Sequence, residues 1–279
     1  MEIKRLTGGL GAEILGADLR RNDHAEAIRA AFIQHSVIVV RQQTLTPQDH
    51  LAFAQRFGPI NVNRFFTALP EEPQIALVLK EADQTGAIGE VWHTDHAYDT
   101  APALGSILHA IVTPPYGGDT VFASMAMAFE ALSPKFQDIL RPLSAWHSSR
   151  HVFGALVKDD DAVRSGRVGN ADAALQDALH PVVIRHPLSG REGLYVNPQF
   201  TTQIDGLSKQ ESDAILGMLY AHCQQPEFQC RVSWSAGDVA MWDNRATWHK
   251  AVNDYHGHRR LMHRITVEGV PLTGSDPCP

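Results

Sequence analysis

The C-terminal third of the chain limits the fold most. Phe228–Trp234, Asp238–Trp242 and Leu261–Val267 are short strand-like runs separated by turn residues. Further strand signals lie at Val37–Val40, Gly105–Val112, Thr120–Phe122, Val182–His186 and Gly193–Asn197. Pro114, Pro115, Gly117 and Gly118 make a tight connection between two of them. Helical patterns are fewer. Residues 25–34 read as an amphipathic helix. Thr46-Pro47 opens a second, with threonine as N-cap and Gly58-Pro59 as its end. Ser133-Pro134 starts a third, and Ser208-Lys209-Gln210-Glu211 is a capping box before a fourth. Many short strands with long connections and a few flanking helices predict a mostly-β chain of the jelly-roll or sandwich kind.

The 279 residues are read as one domain, 1–279. Residues 158–178 are polar and small and read as a mobile loop with a short helix near its end. The formal net charge of −7 and the lack of a basic stripe argue against nucleic acid as partner. Any anion must therefore be held by a few local cations. The three cysteines form no CxxC pair, which fits reduced thiols. The first residues lack the apolar core of a signal peptide, and no apolar run approaches the ~20 residues of a membrane span. The expectation is a cytoplasmic protein, with homo-oligomerisation left open.

Trp92-His93-Thr94-Asp95 is the sharpest local feature. On a strand, positions i and i+2 face one side, so His93 and Asp95 can meet at one point. A histidine from a distant strand would complete two histidines and one carboxylate, a set that leaves open positions for Fe(II) oxygen chemistry. HxD alone is common by chance. His96 and Asp99 compete nearby, although His96 would point away on a strand. Downstream stand Trp242-Asp243-Asn244-Arg245, His249, and Arg260 and Arg264 with Met262 between. Two arginines four apart on a strand share a face. They repel unless anions answer them, the alternative being outer-face salt bridges.

The segments WHTD, GGDT, WDNRATWH and HRRLMHR resemble, in order and spacing, the taurine dioxygenase and 2,4-dichlorophenoxyacetate dioxygenase family of Fe(II)/2-oxoglutarate enzymes. The likeness runs from LGAEILGADL to RITVEG. It implies a double-stranded β-helix, a cupin-like jelly roll. It also implies Fe(II) on His93, Asp95 and His249, 2-oxoglutarate on Thr120 and Arg260, and O2 as oxidant. The anionic end of a small substrate would meet Arg264. Such enzymes hydroxylate while releasing succinate and CO2, and hydroxylation beside a heteroatom cleaves C–S or C–O bonds.

The substrate region departs from the taurine pattern. Asn63, Phe66 and Gly89 stand where taurine enzymes carry histidine, tyrosine and asparagine. Phe65, Phe66 and Tyr98 could form an apolar wall, and Arg64 could make a second anion contact or lie on the surface. His147-Ser148 followed by Val152-Phe153-Gly154, together with Gly193–Asn197, looks closer to the aryloxyalkanoate enzymes. The expected substrate is an aryloxyalkanoate, alkylsulfonate or alkyl sulfate with an apolar body. The competing readings are a cupin-like metal isomerase or hydrolase and a non-catalytic protein of the same fold.

Overall fold

The computed structural model describes residues 1–154 and 165–275. Residues 158–164 of the expected loop and Cys278 lie outside the described residues.

The main sheet runs, neighbour by neighbour, Glu2–Arg5, Ala12–Leu15, Val37–Val40, Val239–Asp243, Gly105–Val112, Arg260–Val267, Glu72–Lys80 and Ala68–Leu69. Ile60–Asn61 adds a short pairing to Arg260–Val267. A second sheet sets Thr120–Ser124 between Gln229–Val232 and Thr247–Ala251. Strand periodicity divides the main sheet's side chains between two faces. Met241, Ile107, Ile265 and Val267 pack with Phe32, Phe53 and Phe57, from the two N-terminal helices and the turn after the second. Trp242, Leu108, Ala110 and Met262 face the other way and pack with Phe122 and Val232 of the second sheet. The space between the two sheets is therefore where inward polar residues meet.

Local rules explain the helices. Ala25–His35 ends at Ser36, a residue in the left-handed conformation whose N–H donates to the Phe32 carbonyl. Pro47–Gln55 is capped by Thr46, whose hydroxyl accepts from the Asp49 N–H while Asp49 accepts from the Thr46 N–H. This helix stops before Gly58, because the chain already turns at Arg56 to bring Phe57 onto Phe32 and Phe53. Lys209–Cys223 carries the expected capping box between Ser208 and Glu211.

The described part of the expected 158–178 loop is tied to the body. Gly169 N–H donates to the Phe65 carbonyl, and Thr67 N–H to the Arg167 carbonyl. Phe66 and Val168 form a bridge, and a short 3-10 helix covers Ala171–Ala173. No helix among the described residues is long and apolar enough to cross a membrane.

Candidate active site

His93, Asp95 and His249 converge between the sheets, all buried, with one ligand atom from each within 4.8 Å of the others. His93 Nε2 lies 3.6 Å from Asp95 Oδ1, and His249 Nε2 lies 3.6 Å from Asp95 Oδ2. The convergence differs from the expected strand alternation. Of His93 and Asp95 only His93 is strand-like, bridging His249 of the Thr247–Ala251 strand through two backbone hydrogen bonds of 3.1 and 2.9 Å. Asp95 begins a turn, so the carboxylate arrives by a bend in the chain. His96 follows with φ 58°, a left-handed conformation that is strained for a residue with a Cβ. Its Nδ1 lies 2.9 Å from Asp99, and it lines the active cavity without joining the ligand set.

The donor atoms are prepared for a cation. His93 Nδ1–H donates to the Val91 carbonyl at 2.7 Å, which leaves the Nε2 lone pair facing the triad. Asp95 Oδ2 accepts from Ser106 Oγ at 2.8 Å and meets Arg264 Nη2 at 2.8 Å, so Oδ1 is left for a metal. Asn244 Nδ2 in turn donates to Ser106 Oγ at 3.3 Å. Burial opposes charge on Asp95. Arg264, then His249 and His93, nevertheless hold its carboxyl well below the usual range. Burial, followed by the neighbouring His93, pushes His249 down, so it is a neutral imidazole and able to bind metal. Its ring packs against Trp242 and Phe122. Two imidazoles and one carboxylate on a single face suit ferrous iron, and the fit rests on these atoms.

Beside the triad a small cavity of about 50 Å³ is walled by Thr120, Arg260, Arg264, His93, His249 and Val78, among others. Thr120 Oγ1 accepts from Trp234 Nε1 at 3.0 Å, which leaves its own hydroxyl hydrogen to donate. Arg260 is buried with no ion pair among the described residues, and its Nε lacks any partner. Burial pushes its guanidinium down from the ordinary value. A buried, unanswered guanidinium beside a metal triad is the feature an incoming carboxylate would satisfy.

A larger cavity of about 350 Å³ adjoins this one, sharing His93, Arg264, Phe66, Ile88 and Gly89 in its wall. Its apolar lining includes Tyr98, Val152, Phe153, Val168 and Phe200. Phe153 stacks on Phe65 at 4.2 Å, and Tyr98 meets Phe200 edge-on at 5.0 Å.

Several sequence expectations change here. Asn63 lines the cavity, but its carbonyl oxygen accepts from the Phe65 and Phe66 N–H groups, so it mainly shapes the turn that presents Phe66. Gly89 matters for space rather than for a missing amide: its φ is 85° and an added Cβ would lie 3.2 Å from His93 Cε1. Arg64 is neither an anion contact in the active cavity nor a surface residue. It is half-buried and forks onto Asp99. Arg264 reaches both cavities while bonded to Asp95, so it serves the metal carboxylate as well as the cavity. Ser106 was missed. Its signal was a polar residue at an inward position of the apolar Gly105–Val112 strand.

Comparison with known proteins follows the same pattern. Residues 2–266 match the family described as taurine catabolism dioxygenase TauD, TfdA family. An alpha-ketoglutarate-dependent sulfate ester dioxygenase of Pseudomonas putida is 35% identical across 99% of this chain and 92% of its own. An alpha-ketoglutarate-dependent 2,4-dichlorophenoxyacetate dioxygenase of Cupriavidus pinatubonensis is 33% identical across 84% of this chain and 85% of its own. The crystal structure of a taurine dioxygenase from Burkholderia xenovorans superimposes with TM-score 0.84 at 32% identity, covering 99% and 94% of the two chains. The chain belongs to the TauD/TfdA family of 2-oxoglutarate-dependent dioxygenases.

Proposed function

We propose that this enzyme holds Fe(II) through His93, Asp95 and His249, binds 2-oxoglutarate through Thr120 and Arg260, and hydroxylates an alkyl sulfate ester with an apolar body. The observation that carries the reading is the buried triad placed next to the unpaired Arg260 guanidinium. The two facing sheets are read as a double-stranded β-helix forming one domain, 1–279.

When bound, iron and 2-oxoglutarate supply the oxidising chemistry: O2 is split between succinate, formed with loss of CO2, and a hydroxyl group placed on the substrate. The residues of the chain do the rest. Ser106 and Arg264 hold Asp95 in one orientation, and the Val91 carbonyl does so for His93. Arg264 Nε has no partner among the described residues, so the arginine retains a donor while bonded to Asp95. It is read as the group that meets the anionic end of the substrate. Phe66, Tyr98, Phe153 and Phe200 enclose the apolar body and exclude water. Hydroxylation on the carbon bearing the sulfate oxygen gives a product that collapses. The O–H proton leaves, a carbonyl forms, and the C–O bond breaks with its electron pair on sulfate.

The sulfate-ester reading is supported by the Pseudomonas putida relative and by the apolar side chains that line much of the cavity. The ring-rich wall favours an aryloxyalkanoate as the second reading. A cytoplasmic location fits the buried thiols Cys223 and Cys230. Succinate release screened across alkyl sulfates, alkylsulfonates and aryloxyalkanoates decides between them. Turnover coupled to alkyl sulfates, with aldehyde and sulfate in equal amounts, is expected. Coupling to aryloxyalkanoates alone would replace this reading by the second.

A further inference from the structure

Arg260 does not stand alone. Lys80, on the neighbouring strand, is directly opposite it in antiparallel register. Residues opposite one another on such a pair point to the same face, with Cβ atoms roughly 5 Å apart, and like charges in that position destabilise the sheet. Lys80 is 2% exposed and Arg260 4%. Lys80 Nζ and Arg260 Nε both lack a partner among the described residues, and neither side chain has an ion pair there.

The nearby acids each hold another partner, and Glu90 and Asp119 act on Lys80 and Arg260 through space without touching them. Asp119 binds Arg231, Glu81 binds Arg259 at 3.0 Å, and Glu90 accepts from Asn253 at 2.8 Å. What Lys80 does have is an aromatic face. Its Nζ lies 4.3 Å from the centre of the Tyr255 ring, and Arg260 stands 5.9 Å over Trp234. Ring faces ease a desolvated cation but supply no counter-charge. Two buried cations side by side, neither touching an acid among the described residues, leave a place for an anion that arrives from outside the chain. The small cavity reaches Arg260, and Lys80 stands just outside its lining. Val78, two residues before Lys80 and therefore on its face of the strand, lines the cavity together with Arg260.

We infer that Lys80 is a second cation for the distal carboxylate of 2-oxoglutarate, acting beside Arg260. This rests on the co-substrate reading above and adds a specificity to it. With two cations at its far end, the pocket selects a keto acid that ends in carboxylate over one that ends in methyl. Tyr255 serves as the platform that keeps the ammonium in place while the pocket is open.

The test compares 2-oxoglutarate with 2-oxovalerate, which has a methyl group where 2-oxoglutarate has its distal carboxylate. Both are titrated anaerobically by calorimetry into the Fe(II)-loaded native protein, Lys80→Met and Lys80→Arg. Lys80→Met is expected to weaken 2-oxoglutarate by roughly tenfold or more, the worth of a charge-assisted hydrogen bond, and to change 2-oxovalerate by less than about twofold. Lys80→Arg should keep most of the native affinity. Without ligand, Lys80→Met should also unfold at higher denaturant than the native protein, because it relieves the repulsion with Arg260. Unchanged 2-oxoglutarate affinity in Lys80→Met would overturn the inference. So would equal weakening of the two keto acids together with lower stability, which marks a structural lysine. Failure of the native protein to bind 2-oxoglutarate at all would overturn the co-substrate reading itself.

Discussion

Replacing Arg260 by methionine should move stability and binding in opposite directions. The side chain is 4% exposed, has no ion pair among the described residues and leaves Nε unpartnered. A buried charge without a partner is a net cost to the folded state. Exchanging buried ionic groups for apolar residues of similar volume commonly stabilises by about 1–4 kcal/mol. Methionine retains the stem that packs beside Trp234, so little contact is lost. The ligand-free Arg260→Met protein should therefore unfold with a free energy higher by about 1–3 kcal/mol in a urea titration at constant m-value. Binding of 2-oxoglutarate should fall sharply. Breaking a buried charge pair by removing one partner costs about 3–5 kcal/mol, which is a weakening of roughly a hundred- to several-thousand-fold. Calorimetric titration of the Fe(II)-loaded protein reads the second quantity. A variant that is less stable and binds 2-oxoglutarate as before would refute the assignment, since Arg260 would then be a structural residue whose charge is answered inside the fold.

Acidification should unfold the protein through a histidine cluster on the helix side of the main sheet. Burial, reinforced by His109 and His263, pushes His50 down to about 3, and burial with His263 pushes His109 down to about 4. Both are lower than the unfolded value near 6.5, so their stabilising effect is complete above that pH and is lost as pH falls towards the folded values. At pH 5 each should cost about 2 kcal/mol, His109 somewhat less because it is less enclosed. Denaturant midpoints measured from pH 8 to pH 5 check this, and a flat profile would contradict it. Gly89→Ala should add a Cβ 3.2 Å from His93 Cε1 at a backbone φ of 85°. It should lose about 1–2 kcal/mol of stability and bind Fe(II) more weakly, whereas unchanged metal affinity would show that His93 has room to move.

Residues whose role follows from local chemistry could be read directly from the sequence. The caps at Thr46 and Ser208 and the Gly105–Val112 strand fall where turn and periodicity rules place them. Glu72–Lys80 was not legible as a strand because Pro73 and its acidic neighbours break the pattern; it pairs because Ile75 and Ala76 are buried by tertiary contact. Lys80 therefore went unseen, since only the pairing of that strand places it beside Arg260. The triad was legible through its residue types, but the turn that delivers Asp95 was not. Arg264 was legible as a cation sharing a strand face with Arg260, while its burial and its bond to Asp95 depend on contacts between residues far apart in the chain. Gly89 shows the same limit, because its steric need exists only once His93 stands over it.

The central claim is that His93, Asp95 and His249 hold iron on which 2-oxoglutarate binds. Anaerobic addition of 2-oxoglutarate to the Fe(II)-loaded protein tests it most directly, by the weak visible charge-transfer band that a keto acid chelated to ferrous iron produces. The native protein should show the band, saturating at one equivalent of iron, and Asp95→Ala and His249→Ala should not. No band in iron-loaded native protein, or an undiminished band in both variants, would contradict the account.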